Sequence, residues 1–257
     1  MKRSANKYLG EGAERAPLVR DMFSRIAPRY DLVNDVISLG MHRGWKRRAA
    51  ALALEGRPPG ARLLDLCCGS GDLAFLSEDL GAAVTGVDFA LPMLAVARAR
   101  GGRTPRRRSR RGHRGPVAER SRTVLVQADA LRLPFPDSSF DAITVGYGLR
   151  NLADIPAALA EMKRVLAPRG RAVILDFGKP PNRLVAAAYG AYLRTAMPAI
   201  GLLFHGDPAT YAYIPASLAR YPGQRGVEAL MRGAGFENVR IEEPLFGATG
   251  INVGESP

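Results

Sequence analysis

Two glycines, Gly69 and Gly71, follow directly on the strand-like stretch LLDLCC, at a point where the chain has to turn sharply into a helix. Lacking a Cβ, they let the backbone come close to a nucleotide or nucleoside. The run Gly69-Ser70-Gly71-Asp72-Leu73-Ala74 also satisfies the G-x-G-x-x-A form of a dinucleotide site. A pyrophosphate, a sulfonium nucleoside and a tight turn with no ligand are therefore all open from the glycines alone. The acids separate them, because carboxylates near the turn repel a pyrophosphate and attract a sulfonium and an amino group. Asp65 and Asp72 bracket the glycines. Asp88, 17 residues after Gly71, closes a second strand, where it can accept from both ribose hydroxyls of either kind of cofactor. Asp129, closing a third, offers an acceptor to an adenine amino group. The set favours S-adenosylmethionine, with Asp65, Gly69, Gly71, Asp88 and Asp129 as candidate binding residues.

The elements that must position these residues are legible in outline. Over residues 18–52, Val19, Met22, Phe23 and Ile26, then Val33, Val36 and Ile37, recur at three- and four-residue steps, which predicts helices broken near Pro28. After the turn at Pro58 to Gly60 a short strand, a glycine turn, a helix, a second strand and a second helix follow in order. TVLVQADA predicts a third strand and SSFDAITVGYG a fourth. IPAALAEMKRVLAPRG predicts a helix ended by Pro168 and Gly170, and RAVILDFGKP a fifth strand. Alternation of this kind predicts an α/β fold, a mostly parallel twisted sheet with helices on both faces, under an N-terminal helical cap. Residues 184–204 are apolar but contain Arg194 and Pro198, which predicts a buried or interfacial helix and no membrane span. A helix over residues 226–234 leads into ENVRIEE as the last strand.

Length and composition predict one domain over residues 1–257, with a cap over 1–57 and no linker that would divide it. The adjacent Cys67 and Cys68 cannot bridge the fold, and no spaced Cys/His cluster predicts a metal. With no signal-like apolar segment at the N-terminus, a soluble protein in a reducing cytoplasm is expected. The formal charge of +13 is local: residues 103–122 hold nine arginines and one acid, and without them 28 basic and 23 acidic residues remain, a net +5. That stretch predicts a mobile loop. It lacks interleaved aromatics for stacking bases, so nucleic acid is not the expected partner.

Several longer segments carry more than a generic pattern. MFSRIAPRYDLVNDVISLGMHRGWKRRA, LLDLCCGSGDLA, QADALRLPFPDSSFDAITVGYGLRN and YIPASLARYPGQ together resemble the UbiE/MenG family of ubiquinone and menaquinone biosynthesis C-methyltransferases. The resemblance implies a Rossmann-like class I methyltransferase fold, S-adenosyl-L-methionine as cofactor, and Ser70, Asp88, Asp129 and Ala130 at the cofactor site. Gly146 stands where some relatives carry a cofactor-contacting serine, and FGATGINVGESP departs from the family's usual closing strand.

The implied reaction is methyl transfer to a ring carbon of a polyprenyl quinol, with demethylmenaquinol as the first expectation. A base, or a cation stabilising the phenolate, is then needed. Arg150 and Asn151 in YGLRN are the candidates, with Tyr30 and Asp31 helping to close the site from the cap. His42, alone in a basic helical stretch, is expected to serve packing or surface. Residues 181–225 are expected on the substrate side, with contact to the inner face of the cell membrane and self-association both compatible with the pattern. The rivals are a methyltransferase for another small molecule or RNA, and a noncatalytic scaffold in quinone synthesis.

Overall fold

The computed structural model describes Tyr8 and residues 15–101 and 123–257, and the arginine-rich stretch 103–122 lies outside the described residues. The cap consists of α1 (Arg15–Ile26), α2 (Tyr30–Ser38) and α3 (Met41–Leu54), with a short turn of helix at Pro28 between the first two. The alternating part follows as β1 (Arg62–Leu66), α4 (Asp72–Asp79), β2 (Ala83–Asp88), α5 (Leu91–Gly101), β3 (Val124–Gln127), β4 (Phe140–Gly146), α6 (Ile155–Val165) and β5 (Leu166–Phe177). Then come α7 (Arg183–His205), α8 (Ala209–Arg220), α9 (Gly223–Gly233), β6 (Glu237–Glu242) and β7 (Thr249–Glu255).

The seven strands lie in the order β3-β2-β1-β4-β5-β7-β6. The first five pair in parallel, and β7 pairs antiparallel with both β5 and β6. The chain runs from β1 outward to β3 and then returns to the other side of β1 as β4. Beyond the carboxyl ends of β1 and β4 this reversal opens a crevice, the usual ligand position of such sheets.

Side chains alternate between the two faces, as strand geometry demands. Leu63, Ala142 and Val173 pack with Ala49, Ala53, Leu73 and Ala74 of α3 and α4. Leu64, Ile143 and Ile174 pack with Leu159 and Met162 of α6, Met231 of α9 and the inner faces of α7 and α8. The central strands are covered on both faces and so read as near-continuous apolar runs.

Two expectations need correction. The sixth helix stops at Val165, and residues 166–170 already belong to β5, whose first residue Leu166 pairs with Phe140. The last strand is β7 and not ENVRIE, which forms β6 at the sheet edge. The segment TGINVGE carries Gly250, Asn252 and Gly254 where a strand would be expected to carry larger side chains, and a Cβ at Gly250 would lie 2.5 Å from Gln224 and one at Gly254 2.7 Å from Met231. The glycines are there so that α9 can press onto the strand, and buried Asn252 donates to the carbonyl of Gln224 at 2.8 Å. Among the described residues no helix is long and apolar enough to cross a membrane.

Ile251 is fully buried and faces Leu175 on β5 and Glu242 on β6. Ile251→Ala should lower unfolding free energy by about 2–5 kcal/mol, read as a shift of the urea midpoint with unchanged slope.

Candidate active site

At the end of β1 the backbone turns through three left-handed residues, Cys67 (φ 56°), Gly69 (φ 54°) and Gly71 (φ 86°). Side chains are poorly tolerated at the glycines: a Cβ on Gly71 would sit 2.6 Å from the Phe75 ring, and one on Gly69 3.2 Å from Met93. The turn is tied to β2 by Asp88, whose carboxylate accepts the N–H of Gly69 at 2.9 Å and that of Ala90 at 2.9 Å. Burial pushes the Asp88 carboxyl upward, and these backbone N–H groups work against that push.

Gly69 and Asp88 line a narrow cleft at the crevice, together with Met93, Asp129, Ala130, Gly146 and Asn151. Asp129 holds its loop by accepting the N–H of Leu131 at 2.9 Å. Gly146 is packed so closely that a Cβ would meet Leu73 at 2.6 Å, which accounts for the missing side chain. The remaining residues expected at the cofactor lie behind the turn and do not line the cleft. Asp65 is buried in the sheet, accepts from Thr144 at 2.8 Å, and is pushed up to about 7 by burial.

Ser70 instead donates to Asp31 of the cap at 2.7 Å. Asp31 also pairs with Arg100 at 2.8 Å, Arg100 with Asp72 at 2.5 Å, and Asp72 with the buried Lys46 at 2.6 Å. A chain of opposite charges thus joins α2 and α3 to the glycine turn and to α5. Burial alone would raise the Asp72 carboxyl, but Lys46 and Arg100 hold it down to about 2.

A second, larger cavity of about 560 Å³ lies between the cap, α7, α8 and the 149–151 turn. Its walls are mainly apolar, and Arg150 enters them already oriented: its guanidinium bonds Asp176 at 3.0 Å and the carbonyl of Tyr147 at 2.5 Å, and stacks 4.9 Å from the Phe177 ring centre. Burial pushes Asp176 upward and Arg150 opposes it. Asn151, the next residue, faces the cleft, donates to the Tyr147 carbonyl at 3.3 Å and accepts from the Tyr213 hydroxyl. Tyr147, held in the left-handed region (φ 58°), and Phe23 line both cavities and so stand at their junction. Tyr30 opens α2, and its side chain lies outside the described part of the protein.

His42, set aside on the sequence as packing or surface, is buried and lines the large cavity. The basic run HRGWKRR conceals this, because only one stripe of α3 faces inward, and its step of four from His42 to Lys46 was the available signal.

A similar fold occurs in a methyltransferase from Thermotoga maritima described as S-adenosylmethionine-dependent and a possible histamine N-methyltransferase (TM-score 0.59, 18% identity, 92% of this chain and 99% of that one). Another is phosphoethanolamine N-methyltransferase 2 of Haemonchus contortus, solved with S-adenosyl-L-methionine (TM-score 0.56, 16% identity, 82% of this chain and 52% of that one). The sheet order, the glycine turn and the acid ending β2 define the class, a Rossmann-like S-adenosylmethionine-dependent methyltransferase. Among curated relatives, a demethylmenaquinone methyltransferase of Thermus thermophilus is 44% identical over 92% of this chain and 100% of its own length. One of Deinococcus radiodurans is 39% identical over 96% of each chain, and a ubiquinone/menaquinone biosynthesis C-methyltransferase UbiE of Pseudomonas putida is 39% identical over 95% and 91%. The chain belongs to the ubiE/COQ5 methyltransferase family, whose model matches residues 10–255.

Asp72→Asn would leave the buried Lys46 without its partner, so a loss of about 3 kcal/mol or more is expected at pH 7 in chemical denaturation. Because the folded carboxyl titrates near 2, below its ordinary 3.8, the wild-type advantage is present above pH 4 and fades as pH falls through 2.

Proposed function

We propose that this chain methylates a ring carbon of a polyprenyl quinol, with demethylmenaquinol as the preferred acceptor. The observation that carries the reading is the meeting of two unlike cavities: a cleft with carboxylates at its ends, and a large apolar chamber beside it, sharing Phe23 and Tyr147 as a common wall. The names of the relatives over nearly the full chain support the same acceptor class.

The cleft fits an S-adenosyl group by the chemistry of its donors and acceptors. Asp88 offers carboxylate oxygens at the end of β2 for a ribose, Asp129 an acceptor for an adenine amino group, Ala130 and Met93 apolar flanks, and Gly69 and Gly146 backbone that can be approached closely. Asp65, Ser70 and Gly71 support that cleft from behind. Once bound, the cofactor supplies a methyl group on a positively charged sulfur, ready for in-line displacement.

The protein's own part is to position, to exclude water and to stabilise charge. An apolar chamber takes a quinol ring and the start of its prenyl tail, and excludes a polyanionic RNA. Arg150, already oriented by Asp176, places a cation where a quinol oxygen gains negative charge. Asn151 and Tyr213 brace the turn from which Arg150 projects. The segment 181–225 supplies the far wall through α7 and α8, and the cap over residues 15–54 supplies the near one. Leu39, Met41 and Leu245 line the chamber while remaining exposed. Exposed apolar side chains on a cavity of this kind suit entry of a lipid-soluble quinol from a bilayer.

Labelled methyl transfer from S-adenosylmethionine to reduced naphthoquinol and benzoquinol analogues tests the reading. Wild type should place the label on a ring carbon, faster with the naphthoquinol, and Asp88→Ala should abolish cofactor binding by calorimetry. Arg150→Lys keeps the charge but loses the two-sided grip on Asp176 and Tyr147, so a rate about 10–100-fold lower with cofactor affinity unchanged is expected. Label on an acceptor other than a quinol would reject the proposal.

A further inference from the structure

Among the described residues, His42 is the one shared by the apolar chamber and a polar cleft on the other side of α3, whose walls include Asp31, Asp35, Lys46, Asp72 and Arg100. Its Nδ1 lies 2.6 Å from Ser38 Oγ, and Ser38 also lines the chamber. Its Nε2 lies 3.7 Å from Asp35 Oδ1, in the polar cleft. We propose that Ser38 and His42 form a proton relay, which takes the hydroxyl proton of the acceptor and delivers it to the polar cleft; this rests on the quinol reading above.

The arrangement suits that task at each atom. Asp35 beside Nε2 favours the tautomer with its hydrogen there, which leaves the Nδ1 lone pair facing Ser38. The Ser38 hydroxyl has one hydrogen and two acceptors in reach, His42 Nδ1 and the Asn34 carbonyl at 2.7 Å. It can pass that hydrogen to the ring while taking another from a hydroxyl in the chamber. Burial, and then Lys46, hold the imidazole below its ordinary 6.5, so it is neutral and able to accept at pH 7. Asp35, kept ionised by its hydrogen bonds from Arg43, stabilises the imidazolium once formed. The other charges acting on the ring are Lys46 and Arg43 on its own helix and Asp72 from α4, while Arg100 lines the polar cleft and Arg150 lines the chamber together with the titratable Tyr147 and Tyr192.

The balance closes. The acceptor's O–H bond breaks, its proton goes through Ser38 to His42, and the electron pair left on oxygen makes the neighbouring ring carbon nucleophilic. A carbon–carbon bond forms from the ring's electron pair as the methyl–sulfur bond breaks, and the pair of that broken bond stays on sulfur. The ring carbon then loses its own hydrogen as a proton and the hydroxyl is restored. One proton leaves overall, and it matches the charge lost by the sulfonium. Arg150 holds the oxygen anion meanwhile.

A redox-inert 4-alkyl-1-naphthol, compared with the 1-alkylnaphthalene that lacks its hydroxyl, reads the first contact of the relay without any methyl donor. Wild type should bind the naphthol about tenfold more tightly than the naphthalene, and His42→Gln or Ser38→Ala should lose most of that preference. In methyl transfer to a reduced naphthoquinol, His42→Gln should lower kcat about 10²-fold with KM little changed. Its rate should then climb about tenfold per pH unit, while wild type is level above an acid limb lying below pH 6.5. Equal preference for the naphthol in wild type and variants, or an unchanged kcat and pH profile, would overturn the relay. If His42→Gln does not fold, Ser38→Ala and the wild-type acid limb decide, and absence of both effects overturns it. Wild type that methylates quinol while His42→Gln matches it removes the relay alone; wild type that methylates no quinol removes the acceptor reading and the relay with it.

Discussion

Asp72 stands at the first position of the helix that follows the glycine turn, and its carboxylate has to be neutralised where it is largely buried. Lys46 reaches it from the cap and Arg100 from α5, and Arg100 continues the contact to Asp31, which holds Ser70. Two helices of the cap are thereby fixed to the loop that shapes the cofactor cleft. The rest of the site depends on this attachment, because the cap supplies a large share of the chamber wall while the cleft belongs mostly to the sheet and the loops that follow its strands. If the cap drifted, the shared wall of Phe23 and Tyr147 would part, and the two reacting partners would no longer share an axis. Charge pairing at this depth adds little net stability over an apolar packing of the same volume, but it admits a single register.

Much of the fold was legible because parallel strands covered on both faces read as near-continuous apolar runs, as β1, β2, β4 and β5 do apart from a few partnered polar residues such as Asp65, Thr144 and Asp176. The glycine turn was legible because left-handed backbone at Gly69 and Gly71 favours glycine, although Cys67 in the same turn adopts it too. β7 was not, since its glycines answer to the helix packed on it and not to a turn, and that partner is far away in sequence. The end of α6 was missed for a related reason: Pro168 and Gly170 look like helix terminators, yet Leu166 has already left the helix to pair with Phe140.

The site was legible in part. Spacing tells where a strand ends but not toward which face a side chain points. Asp88 ends β2 at the cleft and Asp129 lines it from two residues beyond β3 rather than closing that strand, whereas Asp65 shares the face of Leu63, toward α3 and α4, where it meets Thr144. Ser70 was expected beside the cofactor and bonds the cap instead. Arg150 and Asn151 are neighbours in sequence that face different cavities, a division produced by the tight turn they occupy. His42 was hidden by Arg43, Arg47 and Arg48, which occupy the outer side of the same helix.

The place of β7 between β5 and β6 bears on how the protein is made. Both of its neighbours precede it in the chain, so as the polypeptide emerges β6 has no strand to pair with and β5 exposes one edge. Completion of the sheet waits for residues 249–255, which must enter between two segments already synthesised. Contacts of such long sequence separation form slowly. During that interval the open edge of β5 is the place where another nascent chain could bind, and a holding chaperone would have most to protect there.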